Sequence, residues 1–191
     1  MRQSACSERS VSSWQRIARR IRVPLGFLFA AIYLWLAHPT RLSIVTGGLL
    51  LIPGLWVRGL ASGYLRKNEQ LTMSGPYAYT RNPLYLGSLV LALGFVIASR
   101  RWVIVILAAA MFLLVYVPVI RSEEDFLRAN FPQFETYAQH VPRLFPRFHA
   151  FKSSSSSFSL HLYFKHREYN ALVGTVLMSV ALIAKALWFR R

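Results

Sequence analysis

Residues 102–120 read Trp-Val-Ile-Val-Ile-Leu-Ala-Ala-Ala-Met-Phe-Leu-Leu-Val-Tyr-Val-Pro-Val-Ile, without a single charge. A membrane-crossing helix needs about 20 apolar residues, and this run supplies them. Four more apolar blocks lie around it: Leu84–Ala98 just before, Val23–Ala37 and Leu42 to about Leu65 upstream, and Ala171–Phe189 downstream. The Val23–Ala37 and Leu84–Ala98 blocks are shorter. They reach span length if flanking residues join the helix and long side chains snorkel. The pattern predicts an all-α fold, a polytopic membrane bundle of about five transmembrane helices with no Rossmann domain. Only His38–Arg41 separates the first two blocks and only Ser99–Arg101 the third and fourth, so each pair should form an antiparallel hairpin.

The 191 residues include 23 Lys and Arg against 7 Asp and Glu, a net charge of +16, yet 54% are hydrophobic. A disordered polycation would be poor in apolar residues, and a soluble nucleic-acid binder would not be this apolar. No nucleic-acid partner is expected; membrane lipids are. With five spans, 17 basic residues fall on one side and 5 on the other. The positive-inside rule then places the N-terminus and both long polar segments in the cytoplasm and the C-terminus outside, as in a protein of the inner, cytoplasmic membrane. No small-x-small pattern follows the first block, where the chain reads Trp35-Leu36-Ala37-His38, so that block is expected to be a retained anchor. The organisation read this way is a basic N-terminal segment 1–22, a core 23–147 with four spans and the site, a polar linker 148–170 made flexible by the run Ser153–Ser157, and a C-terminal span 171–191. One cysteine, Cys6, excludes an internal disulfide or a multi-cysteine zinc site, and the five histidines have no metal-ligand spacing.

The second block carries Gly47, Gly48, Gly54, Gly59 and Gly63 around Pro53, and the third carries Gly87 and Gly94. Such glycines let membrane helices approach closely, Gly59 and Gly63 forming a small-xxx-small pair.

Chemistry concentrates at two places on one side of the membrane. The first is Ser74-Gly-Pro-Tyr-Ala-Tyr-Thr-Arg-Asn-Pro-Leu-Tyr-Leu-Gly87. Asn82 before Pro83 reads as an N-cap with proline at the first helical position. A helix start with free N–H groups suits a carboxylate or phosphate, and Arg81 adds a fixed positive charge. The bland alternative is an ordinary helix entry, with Arg81 on lipid phosphates and Tyr77, Tyr79 and Tyr85 in an aromatic belt. The second place is Arg121-Ser-Glu-Glu-Asp-Phe-Leu-Arg128, where Glu124 and Arg128 have the spacing of an i,i+4 pair, leaving Glu123 freer. The third and fourth blocks form one hairpin, so their acidic and cationic ends should meet. That juxtaposition suits a zwitterionic ligand.

GPYAYTRNPLYLG, followed downstream by SEEDFLRANFPQFETYAQHVPRLFP, resembles the membrane methyltransferases that group isoprenylcysteine carboxyl methyltransferases with phospholipid methyltransferases. The resemblance covers about Arg58 to Arg147. It implies a small helical bundle that binds S-adenosylmethionine at the cytoplasmic ends of these helices. By position, Gly75, Pro76, Tyr77, Arg81, Asn82, Pro83, Tyr85, Gly87, Glu123 and Glu124 would line the cofactor site. Asn82 stands where the carboxyl methyltransferases have His; it can cap and hydrogen-bond but cannot act as a base. Pro132 replaces the Gly of the Phe-Gly turn, and Tyr64 lies where a second His is sought.

The resemblance implies methyl transfer to a lipophilic small-molecule or lipid-linked substrate, with a carboxylate, amine or other nucleophile as acceptor and no metal. Arg81 and Arg143 are the cations that could place a carboxylate acceptor. The competing classes are a non-enzymatic membrane protein and an NADPH-dependent membrane reductase of the sterol reductase type.

Overall fold

The computed structural model describes residues 13–66, 69–151 and 157–188. Cys6, Phe189, Arg190, Arg191 and all of the serine run except Ser157 lie outside the described residues. Seven helices are named here: α1 Ser13–Leu36, α2 Arg41–Tyr64, α3 Pro83–Ser99, α4 Trp102–Asn130, α5 Phe134–His140, α6 Leu160–Lys165 and α7 Tyr169–Trp188. A short 3-10 turn, Gly75–Ala78, precedes α3. Among the described residues there is no strand.

Three helices, α2, α4 and α7, are long and apolar enough to cross a membrane. The other two expected spans differ for physical reasons. Helix α1 begins ten residues before its apolar block and takes Arg16, Arg20 and Arg22 into the helix. Helix α3 is apolar throughout but has 17 residues. These five helices alternate in direction. Backbone N–H of His38 donates to Ser99 O at 2.9 Å, and Arg101 Nε to Leu36 O at 3.3 Å, so the tight turns share one end. Arg22, Asn82, Glu124 and Glu168 gather at the other end. Large apolar side chains such as Trp35, Ile52, Trp56 and Ile106 stay exposed on the flanks, as a lipid-facing surface requires.

The packing corrects the hairpin expectation for α1 and α2, while α3 and α4 do contact each other. The dominant contact joins α2 to α3, while α1 lies against α4. Glycines explain the α2–α3 approach. A Cβ on Gly94 would stand 2.7 Å from Gly47 O, one on Gly54 2.9 Å from the Leu91 side chain, and one on Gly87 2.8 Å from Gly54 O. The Gly59–Gly63 pair serves a different neighbour: Gly63 is covered by the ring of Phe158 and Gly59 faces Tyr163. Helix α2 starts in a capping box between Thr40 and Ser43, and Ser43 Oγ also donates to Ala98 O at 3.1 Å, tying α2 to the end of α3. The last carbonyls of α1 are satisfied from another helix, Lys185 Nζ lying 2.5 Å from Leu34 O and 2.9 Å from Trp35 O.

Helix α4 is not uniform. Residues Phe112–Tyr116 form a π-helical segment just before Pro118. Proline has no N–H to give to the carbonyl four residues earlier, which is Leu114, and the indole of Trp14 donates to that carbonyl at 3.0 Å. The serine run expected to be a flexible linker lies, except for Ser157, outside the described residues, and the chain on either side of it is bonded to the bundle. Phe151 N–H donates to Ala78 O at 3.0 Å, Ser159 N–H to Gly63 O at 3.0 Å, and His166 Nδ1 lies 3.2 Å from Ser62 O.

Candidate functional site

Asn82 occupies the N-cap position of α3 with Pro83 following, as the sequence suggests, but its side chain makes no capping hydrogen bond. It points instead into a buried cluster. Asn82 Nδ2 donates to Glu124 Oε1 at 3.1 Å and to Arg143 O at 2.9 Å. Arg143 donates from Nε and Nη2 to Glu124 Oε2 at 3.0 and 2.8 Å. Arg81 Nε lies 3.7 Å from Glu124 Oε1. The start of α3, the end of α4 and the segment after α5 thus converge on one carboxylate, which is 2% exposed.

This arrangement corrects the partner expected for Glu124 and leaves Glu123 the more exposed of the two. Glu124 does not pair with Arg128, which bonds Asp125 at 3.4 Å and Glu135 at 2.9 Å on the surface. Glu123 points the other way, accepting from the Tyr85 hydroxyl at 2.9 Å. Arg22 Nη1 donates to that same hydroxyl at 3.2 Å.

Two arginines face one buried carboxylate, so the cluster carries an excess positive charge. Arg81 Nε is a buried donor without a hydrogen-bond partner. Such a donor costs about 1–3 kcal/mol when left unpaired. It stands beside a helix start that no side chain caps. Backbone N–H of Arg81 is itself fixed to Pro142 O at 2.9 Å, and Thr80 Oγ1 donates to Leu144 O at 3.0 Å. The 141–144 segment therefore holds the turn rigid.

The rest of the motif is brought alongside. Gly75 has φ +57°, a left-handed conformation that favours glycine, and a Cβ there would be 2.8 Å from the ring of Tyr64. Tyr64, at the position where a second His was sought, thus floors the Gly75-Pro76 turn. Tyr77 is buried, and the Tyr137 hydroxyl donates to its carbonyl at 2.7 Å. Burial pushes both phenols above their ordinary range, so they stay protonated. Tyr79 is exposed. Gly87 is placed apart from the Glu124 cluster, against Arg58 of α2.

Two cavities lie next to motif residues. Ser74 helps line a polar cleft of about 640 Å³ with Arg66, Thr72, Phe131, Pro132 and Gln133. Tyr85 and Ser88 line an apolar cavity of about 740 Å³ among α1, α3, α4 and α7. The π segment supplies part of its wall, Phe112 and Tyr116, with Tyr116 edge-on to Tyr85 at 6.1 Å.

Sequence reasoning missed the Glu124–Arg143 lock and the pairing of Arg58 with Glu168, whose Oε1 accepts from Arg58 Nε at 2.5 Å. The second had a signal. A lone arginine inside an apolar block requires a counter-charge, and the chain has few carboxylates to offer.

Residues 42–133 match the phospholipid methyltransferase family. The matched segment contains the Gly75–Gly87 motif and Glu123-Glu124, and it ends before Arg143. The chain is 38% identical over 102 residues to the nickel-cobalt-cadmium resistance protein NccN of Alcaligenes xylosoxydans xylosoxydans, covering 53% of this chain and 47% of that protein. It is 36% identical over 115 residues to the cobalt-zinc-cadmium resistance protein CzcN of Cupriavidus metallidurans, covering 60% of this chain and 52% of that one. The chain thus spans about half the length of these relatives. No solved structure matches it. Residues 42–133 are thus similar to a membrane methyltransferase family, and three helices are long and apolar enough to cross a membrane.

Proposed function

We propose that this chain is an S-adenosylmethionine-dependent methyltransferase acting on a lipophilic or lipid-linked acceptor at the cytoplasmic face of the inner membrane. The observation that carries the reading is the buried Arg81 Nε, near Glu124 but without a hydrogen bond among the described residues, beside the uncapped start of α3 and within the family-matching turn. That pairing of a spare cationic donor with a helix N-terminus fits a carboxylate, which the cofactor has. Glu123 can accept from its amino group or a ribose hydroxyl. The Gly75-Pro76-Tyr77 turn, Pro83 and Tyr85 would shape the rest of the site. When bound, the cofactor supplies an electrophilic methyl group on a sulfonium, and that chemistry needs no metal.

The chain's own residues do the positioning. Arg143 and Asn82 hold Glu124, and Glu124 in turn keeps Arg81 from swinging away. In this reading Arg143 acts through that lock rather than by touching an acceptor. Tyr137 fixes the Tyr77 backbone. The apolar walls of α1, α3 and α4 keep water out, which favours an aligned displacement. The acceptor enters from the bilayer side, where the apolar cavity lies.

Isothermal titration of the full chain in detergent with S-adenosylmethionine, S-adenosylhomocysteine and NADPH tests this reading. Saturable binding of the first two, without NADPH, is expected. Binding of NADPH alone would favour a reductase, and binding of none a non-enzymatic role.

A further inference from the structure

The apolar cavity is charged at one end. Its volume of about 740 Å³ falls in the range of small-molecule sites, about 300–1,000 Å³. Phe29, Phe95, Phe112 and Met178 contribute to its apolar walls, and Arg58 is the one charged residue among the described residues that lines it. Arg58 lies inside α2, six residues before the helix ends at Tyr64. An ionisable residue within a membrane helix is costly and is retained where it is paired or meets a ligand. Both conditions can hold here. Arg58 Nε donates to Glu168 Oε1 at 2.5 Å and its Nη1 donates to Ser88 Oγ. Those bonds use two of the five guanidinium donors, and Arg58 keeps 22% side-chain exposure.

Glu168 is 9% exposed and does not line the cavity. The carboxylate therefore stands behind the guanidinium, and the charge presented to the cavity is positive. Its placement is built into the turn between α6 and α7. Arg167 adopts a left-handed φ of 53°, and Glu168 N–H bonds back to Tyr163 O at 3.3 Å. The other candidate cations, Arg143 and Arg81, face Glu124 and do not line this cavity.

We propose that this cavity binds a single-chain amphiphile with an anionic head, carboxylate or phosphate, seated against Arg58 and Ser88 and its chain along the apolar walls. Arg58 selects the head, and Glu168 is a positioning residue that holds the guanidinium at the cavity. The role of this amphiphile as methyl acceptor rests on the methyltransferase reading; its binding does not.

The test uses the purified full chain in detergent, labelled with a diazirine analogue of palmitic acid. Palmitic acid, hexadecyl phosphate, hexadecanol and hexadecylamine serve as competitors. The acid, the phosphate or both should displace the label at concentrations about tenfold or more below those of the alcohol and the amine, the scale of a charge-assisted hydrogen bond. Whichever anion wins identifies the head. Arg58→Gln should bring acid and alcohol to parity, and Arg58→Lys should keep a reduced preference. Glu168→Gln retains an oxygen for Arg58 Nε and should keep the preference, whereas Glu168→Ala should diminish it. Equal displacement by acid and alcohol in the unaltered chain, a preference for the amine, or an acid preference that survives Arg58→Gln would overturn the proposal. The competitor series on the unaltered chain decides the matter even where a variant does not fold. An S-adenosylmethionine titration of the same preparations separates the two readings, since failure there sinks the methyltransferase and leaves the anion site standing.

Discussion

Two buried glutamates sit at the same end of the bundle, and each is held by an arginine from a distant part of the chain. Glu124, at the end of α4 inside the family-matching segment, meets Arg143 and Arg81 together. Glu168, at the start of α7 outside that segment, meets Arg58 alone. In the first pair the carboxylate is buried, the Arg143 side chain is 46% exposed, and one cationic donor is left over; the second backs a guanidinium that borders a cavity. The same ion-pair chemistry serves as a latch in one region and as a support in the other. What decides between them is the number of cations and which partner faces open space.

The latch should be the more expensive to break. Glu124→Gln removes a buried carboxylate and leaves the buried Arg81 without its counter-charge, while the half-exposed Arg143 can turn to solvent, a loss of about 3 kcal/mol. Thermal unfolding in detergent should show it as a large fall in Tm. An unchanged Tm with lost cofactor binding would instead make Glu124 a ligand-facing group, and the contrast with Glu168 would disappear.

The next effect separates a cap from a network. Aspartate is as good an N-cap as asparagine. If Asn82 only capped α3, Asn82→Asp would be silent. The structure gives Asn82 two acceptors to satisfy, Glu124 Oε1 and Arg143 O, and aspartate has no donor at neutral pH. Asn82→Asp should therefore destabilise more than Asn82→Ala, the excess being about 1–3 kcal/mol from unsatisfied buried groups. Denaturant midpoints of the two variants would check the order.

A smaller effect concerns the scaffold that carries both regions. Gly94→Ala places a Cβ against Gly47 O and the Leu51 side chain, and overpacking of this kind costs about 1–3 kcal/mol. Gly174 has nothing within 4 Å, so Gly174→Ala should stay within about 0.5 kcal/mol of the unaltered chain. Equal Tm values for the two would show that α2 and α3 do not depend on that approach.

Much of this was legible because it is written locally. The apolar blocks, the short turns between them and the Asn82-Pro83 boundary each follow from residues close in sequence, and the helices appear where these predict. The meeting of the Asn82 and Glu124 ends followed from one short hairpin connection. What was not legible depends on contacts across long separations. The hairpin rule gave direction but not packing, because the glycines of α2 draw it to α3 rather than to α1. Helical spacing pairs Glu124 with Arg128, yet Glu124 turns inward to Arg143, which arrives from beyond α5 and donates twice to Glu124 Oε2. The serine-rich segment reads as linker by composition, and nothing in that composition announces that Phe158 covers Gly63 or that Glu168 reaches Arg58.

The central claim is that Arg81 and the start of α3 hold the carboxylate of the cofactor. Equilibrium titration of the unaltered chain and of Arg81→Ala with S-adenosylmethionine, S-adenosylhomocysteine and 5′-methylthioadenosine, which lacks that carboxylate, tests it directly. Loss of a hydrogen bond to a charged group should weaken the first two alike by about tenfold to a hundredfold, and leave the third unchanged. An equal loss for all three, or no loss for any, would contradict the claim.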